Sequence, residues 1–543
     1  MPRLLRRRGA ALLGAAVLAA AGSLLAGCTS SGGPQAKAPA AAAESFADIV
    51  PAPVKYSATG QAPFTLSSAT KVRYPADSSG AQADAEYLST LFRPATGFAM
   101  PTAAGTGSSG IRLAITPSDA AIGAQGYRLA ITTGLVTVSA QNSAGLFYGI
   151  QTLRQLLPPA IDATTVQSGV AWTAPTGTVL DYPRYGFRGV MLDVARHFFT
   201  VPQVEQYIDQ ISLYKVNYLD LHLADNQGWR LQINGWPDLT STGAATEVGG
   251  GTGGYYTQAQ YQQLVAYAAA RDITVIPEFD VPSHATAALA SYPQLGCPNA
   301  QGQYTQYTVP TTISPAITSL CANTTELSSF LSAVIGQVAA ITPGPYISVS
   351  GDEAEGISGD VYDSIVGEAA ADVRADGKTV MGYQESSAAI SAPNVSVYWN
   401  PSGSYSAMAQ GAKQGTQVVL APAQHTYMDQ KYTATTMLGL DWAGPTEVKQ
   451  SYDWNPATML SGLPAAAVAG IEATLFTETL STVSDLDYMT FPRLPAEAEI
   501  GWSPQSTHSW TAFAARLAAQ APRWKAMGVN YYQSPQISWP SSG

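Results

Sequence analysis

From Phe187 onward the chain repeats one pattern. A short run of β-prone apolar residues gives way to a stretch whose apolar positions recur every three or four residues. Eight such runs occur, at Phe187–Asp193, Tyr218–Asp225, Ile273–Asp280, Tyr346–Asp352, Thr379–Tyr383, Val395–Trp399, Gln417–Pro422 and Gly470–Glu478. They are nearly continuous in apolar character, as strands covered on both faces must be. Between them, Val204, Tyr207, Ile208 and Ile211 sit at i, i+3, i+4 and i+7, and Tyr261, Leu264, Val265 and Ala268 repeat that helical spacing. Strand–helix units repeated eight times predict an α/β fold, a parallel (β/α)₈ TIM barrel over residues 181–543.

The preceding region, 46–180, follows a different rhythm. Gly126–Ile131 and Leu135–Ala140 flank Thr132-Thr133-Gly134, a hairpin signature. A helical pattern then runs from Ser143 through Phe147, Ile150, Leu153 and Leu157, and Pro158-Pro159 stops it. This predicts a smaller α+β domain ahead of the barrel.

Residues 1–28 read as a targeting segment. Arg3, Arg6, Arg7 and Arg8 form a basic start, Ala10 to Leu25 a short apolar core, and Leu25-Ala26-Gly27-Cys28 resembles a bacterial lipobox. Lipidation at Cys28 would anchor the exported chain to the outer face of the bacterial cytoplasmic membrane, with Thr29 to Ser45 (residues 29–45), rich in Ser, Gly, Pro and Ala, as a flexible tether. An ordinary cleaved signal and twin-Arg export stay open. No later segment offers the roughly 18 uninterrupted apolar residues of a membrane span.

The formal charge is −11, and the four arginines of residues 1–28, with no acid among them, leave −15 on the rest. Such a surface disfavours nucleic acid and anionic lipid and suits a neutral or cationic ligand. With Cys28 lipidated, Cys297 and Cys321 remain, and an exported protein can pair them across a Gly/Pro/Thr-rich excursion. Two cysteines without a nearby His make a poor zinc set, so neither metal nor cofactor is expected. Oligomeric state is not legible.

The chemistry gathers where the apolar runs end. Tyr346–Gly351 stops on two carboxylates, Asp352 and Glu353, and other runs stop on Asp193, Asp225, Asp280 and Glu478. In a parallel barrel those ends form the active-site face. Carboxylates, His284, Arg188 and the rings of Trp399, Tyr427 and Phe476 around one mouth suit a sugar, whose apolar face stacks on aromatics while its hydroxyls take hydrogen bonds.

Spacing narrows this. A retaining glycosidase with an enzymic nucleophile needs two carboxyls about 5–5.5 Å apart across the anomeric centre. Adjacent residues, with Cα atoms only about 3.8 Å apart, struggle to straddle a ring. One can protonate the leaving oxygen while the other holds a group of the substrate. That is the substrate-assisted case, in which a 2-acetamido group attacks its own C1.

The ordered set Gly145–Leu157 (GLFYGIQTLRQLL), Phe187–His197 (FRGVMLDVARH), His222–Arg230 (HLADNQGWR), Ile276–His284 (IPEFDVPSH), Gly351-Asp352-Glu353 and Phe491–Leu494 (FPRL) resembles glycoside hydrolase family 20, the β-N-acetylhexosaminidases. The resemblance spans nearly the whole chain after the leader. It implies Glu353 as general acid and then base, Asp352 as the holder of the acetamido N–H, and Tyr427 as donor to the acetamido oxygen. Arg188 and Glu478 would bind O3 and O4, with Asp429 near O6. Asp225 and His284 would form a polar chain behind Glu353. Trp399 would wall the acetamido pocket and Trp442 would line the sugar subsite. Glu353 is expected to have a raised pKa from Asp352 and partial burial. Asp193, Glu278 and Asp280 read as architectural.

The chain departs from the family pattern at Ser348, Ser350, Ser283 and Asn226, and Tyr383 and Phe476 stand where tryptophans generally line the sugar pocket. The implied activity is removal of terminal β-linked N-acetylhexosamine from an oligosaccharide or glycoconjugate, chitin oligomers included. Two alternatives remain: a lacto-N-biosidase-like enzyme releasing a disaccharide, and a non-catalytic sugar-binding lipoprotein built as two lobes about a hinge.

Overall fold

The computed structural model describes residues 44–354 and 356–540. The leader, Cys28 and nearly all of the tether lie outside them. No described helix is long and apolar enough to cross a membrane.

The amino-terminal unit is a seven-stranded mixed sheet with helices Ser79–Thr96 and Ser143–Gln155 packed on it. Its centre is the hairpin Tyr127–Ile131 with Leu135–Ala140, antiparallel with Tyr127 opposite Ala140. Asn142 caps the second helix by accepting from the Gly145 N–H at 3.4 Å, and every residue from Gly145 to Gln155 is buried. Burial on all sides follows from position, because the helix also meets the barrel: the Tyr148 ring lies edge-on to Trp502, 5.2 Å between centroids.

Eight parallel strands then close on themselves. They are Phe187–Asp193, Tyr218–Asp225, Thr274–Phe279, Tyr346–Ser348, Thr379–Tyr383, Val395–Tyr398, Gln417–Leu420 and Val468–Leu475, each paired with its sequence neighbour. The last pairs with the first (Phe187 opposite Gly470), and the first with the second (Gly189 opposite Tyr218). This is the (β/α)₈ barrel that the eight apolar runs predict. A two-lobed hinged architecture is not what the described residues form.

Strand ends differ from the apolar runs where function intervenes. The fourth strand stops at Ser348, so Ser350–Glu353 is loop. Ser350, Gly351 and Glu353 have φ of 53°, 85° and 46°, in the left-handed region that side chains avoid. At Gly351 a Cβ would stand 2.9 Å from the Ser386 Cβ, so only glycine fits. The loop is held by Tyr383 N–H donating to Ser350 O at 2.7 Å and Tyr362 OH donating to Gly351 O at 2.5 Å. Strain pinned this way belongs where two adjacent acids must be turned into one cavity.

Between Cys297 and Cys321, which are bonded to each other, the chain forms neither helix nor strand. Gln227 anchors it over the barrel mouth by donating to Thr312 O at 3.1 Å.

Candidate active site

A cavity of about 490 Å³, counted out to its open mouth, lies at the carboxyl ends of the barrel strands. Asp352 and Glu353 both line it, from the strained loop after the fourth strand. Around them stand Tyr383 and Trp399 from the fifth and sixth strand ends, Tyr427, Asp429 and Trp442 from the region after the seventh strand, and Phe476 and Glu478 after the eighth.

The rings make a box. Trp399 stacks toward Tyr427 at 6.3 Å and 24°, and Trp442 meets both edge-on at 5.8 and 5.6 Å. Tyr383 stands edge-on to Trp399 at 6.4 Å, and Phe476 tilts against Tyr427 at 5.7 Å. Trp442 keeps 51% of its surface exposed, so it is a rim residue rather than core. Glu385, absent from the sequence reading, accepts from Trp399 Nε1 at 3.0 Å and fixes that ring. Burial, with Asp352 nearby, pushes Glu385 up to about 7.

Behind Glu353 runs a charged chain. His284 Nε2 is 3.3 Å from Glu353 Oε2, and its Nδ1 is 3.5 Å from Asp225 Oδ1. Asp225 does not itself line the cavity. Its Oδ2 meets Arg196 Nη2 at 2.7 Å and His222 Nε2 at 3.2 Å, while His222 Nδ1 meets Glu278 at 2.6 Å. Ser348, one of the departures, donates to the other Glu278 oxygen at 2.8 Å. Asn226 is oriented by the Thr286 N–H, which donates to its Oδ1 at 3.2 Å, so its amide NH₂ faces His284 Nδ1 at 3.1 Å.

These contacts set the proton positions. Burial opposes charge on His284, but Asp225, Glu353 and Asp280 outweigh it and raise its pKa well above the ordinary value. The Asn226 donor works against that charge. His284 in turn holds Glu353 below the usual carboxylate range, which overturns the expected rise for this residue: its side chain is 46% exposed and faces an imidazole, so burial loses. The raised group is Asp352, lifted to about 6 by burial against the pull of His284, with the charge of Glu353 adding to the rise. Asp429 is raised to about 8 by burial and by Glu478. Six polar atoms of the cavity lining are buried with no hydrogen-bond partner: Arg196 Nε, Asp280 Oδ1, His284 Nε2, Asp352 Oδ1, Asp429 Oδ1 and the Tyr383 hydroxyl. Such atoms are costly unless a ligand satisfies them.

Arg188 is not in the cavity. It is the second residue of the first strand, at the opposite end of the barrel. There it donates to Lys215 O and Tyr185 O at 2.8 Å and to Gln125 Oε1 at 2.7 Å, and lies over the Trp502 ring at 4.9 Å. The arginine in the cavity is Arg196, three residues past the end of that strand, with its guanidinium 4.9 Å over Phe476. Strand polarity was the signal that distinguishes them, since only residues after a strand's carboxyl end reach the active face. His222 and Asp280 also line the cavity.

His222, Asp225 and Asp280 bring ligand-type atoms within 4.8 Å of one another. Arg196 already occupies Asp225 Oδ2, and surrounding carboxylates overcome burial to raise His222 well above its ordinary pKa, so a cation would meet two positive groups. The cluster is an ion-paired support for the site.

Comparison with known proteins agrees with this geometry. The sequence profile of glycosyl hydrolase family 20, catalytic domain, matches residues 185–358 and 358–505, and that of glycosyl hydrolase family 20, domain 2, matches 47–182. A β-N-acetylhexosaminidase of Cellulomonas fimi is 41% identical over 409 residues, 75% of this chain and 80% of its own. The solved GH20 β-N-acetylhexosaminidase of Streptomyces coelicolor A3(2) superposes with a TM-score of 0.86 at 44% identity, covering 91% of this chain and 99% of that one. A mutant Streptomyces plicatus β-hexosaminidase in complex with its product GlcNAc does so at 0.86 and 45%, covering 91% and 98%. The chain therefore belongs to glycosyl hydrolase family 20 and is a glycoside hydrolase of the β-N-acetylhexosaminidase kind.

Proposed function

We propose that the protein is an exo-acting, retaining enzyme that releases terminal non-reducing β-linked N-acetylhexosamine by substrate-assisted catalysis. The observation that carries this reading is that two adjacent carboxyls, Asp352 and Glu353, share one aromatic-walled cavity with Tyr427. Glu353 gives its proton to the glycosidic oxygen as the C1–O bond breaks. The substrate's acetamido oxygen attacks C1 and forms an oxazolinium ion. Asp352 Oδ1 accepts the acetamido N–H and stabilises the positive charge, and the Tyr427 hydroxyl donates to the attacking oxygen. Water, deprotonated by Glu353, then opens the ring at C1, so configuration is retained through two inversions.

Since His284 holds Glu353 ionised, a bound sugar must shed water from this exposed carboxyl before it can act as an acid. The His284 ring nitrogen stands 3.3 Å from Glu353 Oε2, so the His–Glu pair acts as a single donor. Arg196 and Glu478 are placed to bind ring hydroxyls, and Asp429, kept protonated at neutral pH by burial, can donate to one. Hydrolysis of an aryl N-acetyl-β-glucosaminide, blocked by a thiazoline mimic of the oxazoline, is the expected result. Absence of turnover on both gluco and galacto aryl substrates would overturn the reading.

Export and lipid anchoring through Cys28 belong to the same proposal, supported by the lipobox-like Leu25–Cys28. Incorporation of a labelled fatty acid that Cys28→Ser abolishes is the expected outcome; equal labelling of both would contradict it.

A further inference from the structure

The amino-terminal sheet has two faces of opposite character. One packs on the helices Ser79–Thr96 and Ser143–Gln155 through Val72, Ile111, Leu113, Leu129, Val136 and Val138, all buried. Alternation along each strand sends the residues between them to the other face. There Arg73 of strand Val72–Tyr74 stands directly opposite Arg112 of Gly110–Ile115, and Arg112 stands opposite Thr137 of Leu135–Ala140. In the next row Ser139 is opposite Arg128, Arg128 opposite Leu180, and Leu180 opposite Lys55 on the edge strand. Every residue of these two rows is exposed or half-buried, so no helix covers this face.

The open face is charged against the sign of the whole chain, which carries −11. The one acid in the seven strands is Asp181, which is on the buried face and paired with Lys215. Lys55, Arg73, Arg112 and Arg128 meet on the open face, and the exposed Lys71 stands two residues before Arg73. Among the described residues only Arg128 of these five has an ion-pair partner, Asp119. Like charges directly opposite across a strand pair, as Arg73 and Arg112 are, cost stability. Arg112 donates from Nη2 to Thr137 Oγ1 at 3.2 Å, but its Nε is buried without a partner. A basic strip left without acids of its own attracts an anion from outside.

At the end of the strip lies a groove of about 930 Å³, out to its open mouth, lined by Lys71 and Arg73 with Ser67, Ser108, Ser109 and Thr133. No acid among the described residues lines it. The arginine fork matches a carboxylate bidentately, and the neighbouring hydroxyls suit the hydroxyls of a sugar. Shape favours a polymer over a bilayer. A single chain can lie in the groove and touch the strip alone, whereas an anionic bilayer must approach the whole acidic molecule. We infer that this face and its groove bind an anionic polysaccharide, a sugar chain bearing carboxylates, and hold the enzyme to it through contacts separate from the catalytic cavity. The groove and that cavity share no lining residue.

Calorimetric binding to polygalacturonate, which carries a carboxylate on each ring, tests this without reference to turnover. Binding is expected at low salt, weakening as salt screens it, with none to neutral dextran. Lys71→Glu combined with Arg73→Glu is expected to lower affinity by about tenfold or more, since it turns attraction into repulsion at the contact. Lys413→Glu combined with Lys525→Glu makes the same change in net charge at exposed positions outside this face, and should alter affinity by less than about twofold. Melting temperature checks that both double variants are folded. Should the first fold poorly, Lys71→Gln combined with Arg73→Gln is expected to give a smaller loss that still exceeds the control. Equal losses in the two pairs, binding insensitive to salt, or tighter binding to phosphatidylglycerol vesicles than to polygalacturonate would overturn the inference.

Discussion

The two ends of the barrel carry similar residues in opposite conditions. At the amino ends of the strands, Asp181 is completely buried and fully used. It accepts from Tyr127 OH at 2.7 Å, Lys215 Nζ at 2.9 Å, Trp502 Nε1 at 3.0 Å and Val54 N–H at 3.1 Å. Asp162 likewise takes both Arg154 and Arg523, and Glu499 takes Tyr452, Arg516 and Ala52 N–H. At the carboxyl ends, Asp352, Asp429 and Tyr383 each leave a buried polar atom without a partner. Left-handed backbone does not separate the ends, since Lys215 shares it with Ser350, Glu353 and His284. A buried charge with every lone pair occupied fastens one domain to another. One with a vacant lone pair lining the cavity costs stability and is open to a ligand; Asp220, Glu472 and Glu497 also lack partners but lie outside the cavity lining, and burial raises their pKa toward the neutral form.

The largest separation between the ends is expected from Glu353→Gln against Lys215→Met. The first should lower kcat/KM on oligosaccharides by roughly 10²- to 10⁴-fold with the melting temperature unchanged, and less on aryl glycosides whose leaving group needs little protonation. The second leaves Asp181 uncompensated and should cost about 3–5 kcal/mol of stability, read by denaturant unfolding, while folded enzyme keeps its kcat. A sharper contrast is the pair of arginines. Arg196→Ala should cost at least about tenfold in kcat/KM, because it also removes the guanidinium 2.7 Å from Asp225 Oδ2 and leaves that carboxylate to His222 and His284 alone. Arg188→Ala should lower stability and leave kcat/KM within about twofold.

pH dependence tests the site's own electrostatics. Asp352 must be ionised to accept the acetamido N–H, and its value of about 6 means kcat/KM should rise as pH climbs through that point. The proton shared by His284 and Glu353 must be present, so activity should fall as pH rises through the raised His284 value. Asn226→Asp replaces the opposing donor at Nδ1 with an acceptor, holding that proton more tightly, so the falling limb should move to higher pH. A limb that stays put would remove Asn226 from the network. The smallest effect expected is for Phe476→Trp, where a larger ring beside Arg196 should lower KM by a few fold through added stacking area.

Much of this was legible in the sequence, and the misses share a cause. The eight apolar runs predict all eight barrel strands because a parallel strand buried on both faces leaves an uninterrupted signature. The ring and carboxylate residues near strand ends, Asp352 through Glu478, follow from the same polarity rule. Arg188 and Arg196 lie eight residues apart in one motif, and composition does not separate them. Only the direction of the strand does. The lowered Glu353 value does not follow from its sequence neighbour Asp352; it follows from His284, which the fold brings to 3.3 Å across the third strand's loop. Glu385 carried no pattern at all, since its role depends on the indole of Trp399 turning toward it.

The central claim is that the reacting sugar's own amide attacks C1, and fluorination of that amide tests it most directly. Across aryl glucosaminides bearing acetyl, fluoroacetyl, difluoroacetyl and trifluoroacetyl groups, the amide oxygen becomes steadily less nucleophilic while its size barely changes. The account predicts a steep, monotonic fall in kcat/KM along the series; a flat profile would show that something other than the substrate makes the bond.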